Sequence, residues 1–220
     1  MTDPEGFIRT QTALVAPPLC PELVLHLATE ATPLWEATEA FLEESGLPPP
    51  YWAFAWPGGQ ATARHLLDAP DLVRGLRVLD LGAGSGIGAI AAARAGAASV
   101  VAADIDPLSV RAIRMNAAAN GVVVEATTDD LVGGDPTAFD LVLAGDVCYE
   151  RPMAGRVTAW LRAIAASGRT VLLADPGRTY LPSDGLVGLA RYTVPTSLEL
   201  EDREERETVI WRVAVGAPGG

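Results

Sequence analysis

The sequence has 220 residues, and its 49% hydrophobic and 20% charged residues are typical of a globular protein with a full core. Its formal net charge of −12 argues against a nucleic-acid partner, because phosphate neutralisation needs basic patches, and it favours a cationic substrate. No apolar run reaches the roughly 18 residues that a membrane span needs, and no basic segment followed by an apolar one marks a leader. We therefore expect no membrane partner and a cytoplasmic location.

Three residue counts restrict the chemistry further. All sixteen basic residues are arginine, so any lysine that this protein modifies must belong to another molecule. The two cysteines and two histidines are too few and too dispersed for a disulfide framework or a metal centre. We therefore expect chemistry that needs no metal.

Residues 1–50 predict a helical N-terminal extension. Residues 1–12 are expected to be weakly structured, and apolar residues at helical spacing favour a helix over Pro21–Glu30. Thr32 and Pro33 are typical of a helix start, and an apolar stripe continues from there to Leu42. Pro48-Pro49-Pro50 then forms a stiff break before residues 51–220, and both parts are expected to pack into one compact domain.

Four aromatic residues fall within six positions at the start of the stretch Tyr51-Trp52-Ala53-Phe54-Ala55-Trp56-Pro57-Gly58-Gly59-Gln60. Three of them, Tyr51, Trp52 and Phe54, fit either a core plug or a site. Trp56 immediately precedes a Pro-Gly-Gly turn and a predicted helix, so we place it at the wall of a ligand pocket. An aromatic face there would attract a cationic ligand by roughly 0.5–2 kcal/mol.

The central motif is Val78-Leu79-Asp80-Leu81-Gly82-Ala83-Gly84-Ser85-Gly86-Ile87-Gly88. An apolar run ends in Asp80, and glycine then occupies every second position before an alanine-rich stretch. This pattern predicts a strand, a tight turn and a helix whose exposed amides hold a ligand. Asp80, expected at the mouth of the site, would repel a pyrophosphate. S-adenosylmethionine fits better, because it carries an ammonium and a sulfonium beside its carboxylate. A ligand-free turn and an NAD-dependent oxidoreductase are the alternatives.

Strands and helices then alternate, which predicts an α/β fold with a Rossmann-like, doubly wound, seven-stranded and mostly parallel sheet. Five strands are predicted over Arg77–Leu81, Ser99–Ala103, Val122–Ala126, Leu141–Ala144 and Thr170–Ala174. Strand character over Arg191–Leu200 and Thr208–Val215 predicts an antiparallel hairpin that contains the antiparallel last strand. The charged stretch Glu201–Glu207 between them is expected to be a solvated connection.

Acidic residues follow the carboxyl ends of these strands, the edge at which open parallel sheets bind ligands. Asp104 lies eighteen positions after Gly86, where a carboxylate can accept hydrogen bonds from ribose hydroxyls. Asp130 is the candidate for the adenine amino group, with Asp129 as the second choice. For Asp106, which precedes a proline, a helix cap explains the residue.

Taken together, these residues resemble a known family. The sequence resembles class I S-adenosylmethionine-dependent methyltransferases at Asp80–Gly86, Asp104 and Asp146-Val147-Cys148-Tyr149. More narrowly, it resembles the seven-β-strand protein-lysine methyltransferases, whose fourth strand ends in Asp-x-x-Tyr. Within that group, the segments Pro50–Gln60 and Asp175-Pro176-Gly177-Arg178 resemble those of the enzymes that methylate the β-subunit of electron transfer flavoprotein.

The resemblance implies a class I methyltransferase domain over residues 51–220. It also implies S-adenosylmethionine as cofactor and a lysine-bearing protein substrate, with the electron transfer flavoprotein β-subunit as first candidate. Asp146 and Tyr149 are the implied catalytic residues. The expected cofactor-binding residues are Trp56, Asp80, Gly82, Gly84, Gly86, Asp104, Asp130 and Asp146. A small-molecule N-methyltransferase of the nicotinamide type and a non-catalytic cofactor-binding protein remain the alternatives.

Overall fold

A computed structural model describes residues 3–37 and 49–214 of the chain. The N-terminal segment contains α1 (Pro4–Gln11), β1 (Ala13–Val15), β2 (Leu25–Leu27) and the single helical turn α2 (Pro33–Glu36). β1 and β2 form a two-stranded antiparallel sheet. The prediction of weak structure over residues 1–12 is therefore wrong for most of that stretch. The predicted helical stripe beyond Ala37 lies outside the described residues.

The predicted helix over Pro21–Glu30 is also wrong, and the structure gives the reason. The side-chain amide of Asn120 binds both the N–H and the carbonyl of Val24, at 3.1 and 2.6 Å, and Asn116 accepts the N–H of His26 at 2.7 Å. These side chains from a distant helix hold the backbone extended. Tertiary hydrogen bonds thus outweigh the local helical spacing of the apolar residues.

The central sheet has seven strands. They are β3 (Arg77–Leu81), β4 (Ser99–Ala103), β5 (Glu125–Thr127), β6 (Leu141–Gly145), β7 (Thr170–Asp175), β8 (Leu186–Pro195) and β9 (Glu205–Val213). The order across the sheet is β5-β4-β3-β6-β7-β9-β8, and β9 runs opposite to the other six strands, so that both of its pairings are antiparallel. The predicted doubly wound, mostly parallel sheet with an antiparallel last strand is confirmed. β9 inserts between β7 and β8, so β8 forms the edge.

Helices cover both faces of this sheet. They are α3 (Pro57–Asp68), α4 (Ile87–Arg94), α5 (Pro107–Ala119) and α6 (Arg151–Ala166), with the single turn α7 (Leu198–Glu201) between β8 and β9. Alternating residues of the buried strands separate two cores, since Val78 joins the cluster under α3, α4 and α5 whereas Leu79 joins the cluster under α6. Asp106 caps α5 through the N–H of Leu108, as predicted. Among residues 3–37 and 49–214, no helix combines the length and apolarity that a bilayer crossing requires.

Candidate active site

The carboxyl ends of the parallel strands surround a cavity of about 560 Å³, which we call the main cavity. An inner cavity of about 50 Å³ lies beside it and shares Trp56, Gly82, Gly84, Gly145 and Asp146 with its wall. Both lie where the chain order reverses, because β4 and β6 flank β3 on opposite sides. This is the position at which open α/β sheets bind their ligands.

The glycine loop between β3 and α4 forms part of both walls. Gly82 and Gly84 adopt left-handed φ values of 65° and 51°, and the backbone there is open to the cavity without a side chain in the way. Gly86, at φ 80°, caps α4 instead, and an added Cβ would lie 3.0 Å from Ile113. Gly82 and Gly84 are therefore placed at the cavities, whereas Gly86 lines neither of them.

Asp80 lies deeper than the sequence suggested. It is 6% exposed and lines only the inner cavity, where its Oδ2 accepts the N–H of Ala89 at 2.7 Å. Burial raises the pKa of Asp80 to about 7, and the nearby Asp104 adds to the increase. The expectation that Asp80 stands at the mouth is wrong, because the first turn of α4, through Gly88 and Ala89, packs against its carboxylate. A cation in the inner cavity would favour its ionised form.

Asp104 follows β4 and connects it to the glycine loop. Its Oδ2 accepts the N–H of Gly84 at 2.8 Å, and its Oδ1 accepts the N–H of Asp106 at 3.0 Å. Burial raises its pKa, while these two N–H groups oppose the increase. Asp104 lines the main cavity together with Ile105, whose side chain is 73% exposed. Asp104 therefore lies at the carboxyl edge of the sheet beside an apolar side chain, and its contact with ribose hydroxyls stays a prediction.

Asp129 and Asp130 both reach the main cavity. Asp129 accepts the hydroxyl of Thr127 at 2.8 Å. Asp130 accepts the N–H of Val132 at 3.1 Å and forms an ion pair with Arg156, which lowers the pKa of Asp130. Asp130 remains our prediction for the adenine contact. The structure adds that its carboxylate is already engaged by an arginine.

Three aromatic rings stand together at the main cavity. Tyr51 lies 6.0 Å from Trp56 and 5.6 Å from Tyr149, measured between ring centroids, and the Trp56 Nε1 donates to the carbonyl of Tyr51 at 2.8 Å. Trp52, in contrast, is 1% exposed and belongs to the core under the N-terminal segment. Burial, with a smaller effect of Tyr51, raises the pKa of Tyr149 to about 12. Its phenol therefore stays protonated at neutral pH and can donate a hydrogen bond.

Asp146 occupies the end of β6 in a backbone conformation that is rare for a residue with a side chain, at φ 55°. Its Oδ2 accepts the N–H of Gly58 at 2.6 Å, and its Oδ1 accepts Nη2 of Arg178 at 3.0 Å. Burial raises the pKa of Asp146 to about 6, and the positive charge of Arg178 opposes this increase. Left-handed backbone at a buried carboxylate is a form of strain that clusters at functional sites.

The Pro-Gly-Gly turn is explained by this carboxylate. A Cβ on Gly58 would lie 2.5 Å from Oδ2 of Asp146 and 2.7 Å from the carbonyl oxygen of Ala174. Only glycine allows the first turn of α3 to approach the end of β6 so closely. The free N–H at this helix start then stabilises the negative charge of Asp146.

Two further residues, Arg178 and Glu201, contribute to the site although the sequence predicted no role for either. Arg178 bridges Asp146 and Glu201, with Nη2 at 2.5 Å from Oε1 of Glu201, and its guanidinium carbon lies 5.8 Å from the centre of the Trp56 ring. Arg178 appeared only within the family-like stretch Asp175–Arg178, and no role followed from it. Glu201 was included in the solvated connection, which is wrong for this residue, since its side chain is 2% exposed and also binds Nε of Arg206 at 3.0 Å.

The residues present fit the expected cofactor. The main cavity falls within the range of roughly 300–1,000 Å³ that is typical of small-molecule sites. Carboxylates of Asp80 and Asp146 line the inner cavity, where they would attract an ammonium or a sulfonium, and the carboxylate of Asp104 lines the main cavity. Within the described parts of the chain, no group of three metal-ligating side chains is present. The donor set therefore suits a cationic organic molecule.

The chain is similar to known enzymes over most of its length. The family model described as Ribosomal protein L11 methyltransferase (PrmA) matches residues 62–146. A relative from Danio rerio, named electron transfer flavoprotein beta subunit lysine methyltransferase, is 37% identical over 217 residues, covering 96% of this chain and 83% of the relative. The Homo sapiens protein of the same name is 37% identical over 208 residues, covering 92% of this chain and 78% of the relative.

One solved structure illustrates the agreement in fold. The crystal structure of magnesium protoporphyrin IX methyltransferase from Synechocystis, with SAH bound, superposes with a TM-score of 0.51 at 23% identity. The match covers 71% of this chain and 81% of that chain. The similarity supports the Rossmann-like arrangement described above.

Proposed function

This chain belongs to the family of electron transfer flavoprotein β-subunit lysine methyltransferases, and we propose that it transfers methyl groups from S-adenosylmethionine to lysine side chains of the electron transfer flavoprotein β-subunit. The observation that supports the proposal most strongly is the position of Asp146. Its strained, buried carboxylate stands between the two cavities, with Tyr149 beside it at the main cavity. We also propose that the enzyme acts in the cytoplasm, as its composition suggested.

The chemistry requires a neutral amine that is held in line with a methyl group. When bound, S-adenosylmethionine supplies that methyl on a sulfonium, so the new nitrogen–carbon bond forms as the carbon–sulfur bond breaks. A lysine arrives as an ammonium, and releasing its proton to water at pH 7 costs about 5 kcal/mol relative to its reference pKa of about 10.4. Desolvation in the main cavity lowers that cost, because burial disfavours the charged form.

Asp146 attracts and orients the incoming amine. Gly58 and Arg178 each bind one of its oxygens, so the carboxylate is fixed in direction while a second lone pair on each oxygen remains for the substrate. An ionised Asp146 also stabilises the ammonium, and for that reason we do not assign it as a simple general base. Tyr149, whose side chain is 42% exposed, forms the aromatic wall of the lysine channel with Tyr51.

The charge of the chain supports a protein substrate. A net charge of −12 favours a basic partner surface and disfavours nucleic acid. The enzyme contains no lysine, so methyl label in a lysine residue cannot come from the enzyme itself. Any methyl-lysine detected in the assay therefore comes from the substrate protein.

The test is transfer of labelled methyl groups from S-adenosylmethionine to purified electron transfer flavoprotein β-subunit, with mass spectrometry to locate the label. We expect label on lysine, and no label on a β-subunit whose modified lysines are replaced by arginine. Nicotinamide and other free amines are assayed in parallel, since label only on these would replace the proposal with a small-molecule N-methyltransferase. Cofactor binding without transfer to any protein of a lysate would indicate a non-catalytic protein.

A further inference from the structure

Arg178 contacts a second buried carboxylate, Glu201, in addition to Asp146. Its guanidinium binds Asp146 through Nη2 and Glu201 through both terminal nitrogens, at 3.1 and 2.5 Å for the latter. It is fixed at the start of its loop by the Asp175 carboxylate, which accepts the N–H groups of Gly177 and Arg178 at 2.7 and 2.6 Å. The guanidinium is thus held from several sides at the wall of the main cavity.

We propose that Arg178 is the counter-ion that keeps Asp146 ionised for the substrate amine, and that Glu201 sets the strength of this effect by sharing the same guanidinium. This inference rests on the proposed function, because it assigns a role in that same site. Arg178 is a positioning residue in this scheme, since it acts through Asp146.

The charges around Asp146 explain why a counter-ion is needed. Asp175 lies close enough to disfavour the ionised form of Asp146, and burial acts in the same direction. The thiol of Cys148 is neutral, because burial and Asp175 raise its pKa to about 12. Besides the helix-start N–H of Gly58, Arg178 is the positive group in contact with the carboxylate within the described residues.

Glu201 modulates this arrangement from the opposite side. It is almost fully buried and binds Arg178 and Arg206 together, so part of the positive charge of Arg178 is already neutralised before Asp146 is considered. Removing Arg178 and removing the charge of Glu201 should therefore change Asp146 in opposite directions. A residue pair with a purely structural role has no reason to do so.

The experiment compares Arg178→Met, Glu201→Gln and the wild-type full chain by two measurements. The first is the ¹³C chemical shift of the Asp146 carboxyl carbon against pH without substrate, assigned with Asp146→Asn. We expect the midpoint to rise by roughly one to three pH units in Arg178→Met and to fall in Glu201→Gln. The second is the pH dependence of kcat/KM, in which Arg178→Met should lose about 2- to 90-fold of its activity at pH 7, because the same shift of one to three pH units protonates Asp146, and this loss should shrink as pH rises.

Arg191→Met is the matched control, because Arg191 forms an exposed ion pair with Glu207 away from both cavities. Midpoints that stay unchanged, or that move the same way in both variants, overturn the inference. If Arg178→Met does not fold, Arg178→Lys and Glu201→Gln decide it, since lysine retains the charge but cannot span both carboxylates. Wild-type protein that methylates no protein defeats the proposed function, whereas the titration still tests the counter-ion.

Discussion

Replacement of Asp146 by asparagine is the most direct test of the site. Asparagine keeps the size of the side chain and tolerates the left-handed φ of 55°, whereas alanine at this backbone would add strain. What is lost is the charge that would bind the substrate ammonium. A hydrogen bond to a charged group contributes about 1.5–3 kcal/mol, so kcat/KM should fall roughly 10- to 150-fold.

The same substitution should leave the fold nearly unchanged in stability, because two effects oppose each other. Burial raises the pKa of Asp146 to about 6, so the ionised form costs the folded state about 3 kcal/mol at pH 7. This loss of stability develops as pH rises from about 4 to 6, and asparagine removes it. The asparagine amide, however, must direct an N–H at Gly58 or Arg178, both donors, at a cost of about 1–3 kcal/mol.

The assay measures initial rates of methyl transfer at several pH values, together with calorimetric affinity for S-adenosylmethionine. If the ionised carboxylate and the neutral amine are both required, log kcat/KM of the wild type should rise with slope 2 below about pH 6 and slope 1 above it. In Asp146→Asn the slope should remain 1 throughout, with cofactor affinity within about tenfold. Asp184→Asn, which breaks an exposed pair with Arg162, is the control. A variant with wild-type kcat/KM, or one that retains the break near pH 6, would refute the role of Asp146.

Three further predictions concern the cavity and its walls. Gly84→Val should abolish measurable S-adenosylmethionine binding by calorimetry, because a branched side chain would project into both cavities from a left-handed backbone; normal affinity would contradict the cofactor position. Gly58→Ala should lower the unfolding free energy in denaturant titrations by about 3 kcal/mol or more, because the added methyl group overpacks the contact between α3 and β6. The control Gly155→Ala, in open space on α6, should raise the unfolding free energy by about 0.5–1 kcal/mol. Equal effects of the two substitutions would exclude the close approach of α3 to β6. The affinity of the wild type for the cofactor should decrease as pH falls through about 7, because Asp80 becomes protonated there. Asp80→Asn should remove this pH dependence. If the variant keeps it, protonation of Asp80 is not its cause.

The parallel part of the sheet was predictable because its signals are local. Four of its five strands are short apolar runs, and the glycine loop, the cap at Asp106 and the position of Asp104 follow from neighbouring residues. The third strand was predicted over Val122–Ala126, whereas β5 covers Glu125–Thr127, which is not an apolar run. The N-terminal segment was not predictable in the same way. Asn120 binds the backbone of Val24, just before β2, and Asn116 binds that of His26 within β2, each from about 90 positions away. No residue near β2 indicates these contacts.

The chemistry of Asp146 depends on segments that are even less visible in the sequence. Glu201 stands in a run of charged residues, which usually indicates a solvated surface, yet the two arginines that bind it make its burial favourable. The orientation and charge of the Asp146 carboxylate, at the end of β6, therefore depend on three segments: the start of α3, the loop after β7 and the turn before β9. Because Glu201 itself lines neither cavity, its substitution should alter the pH dependence of methyl transfer while leaving cofactor affinity intact. Such a separation distinguishes an electrostatic network around the Asp146 carboxylate, the proposed catalytic group, from a contact that only stabilises the fold.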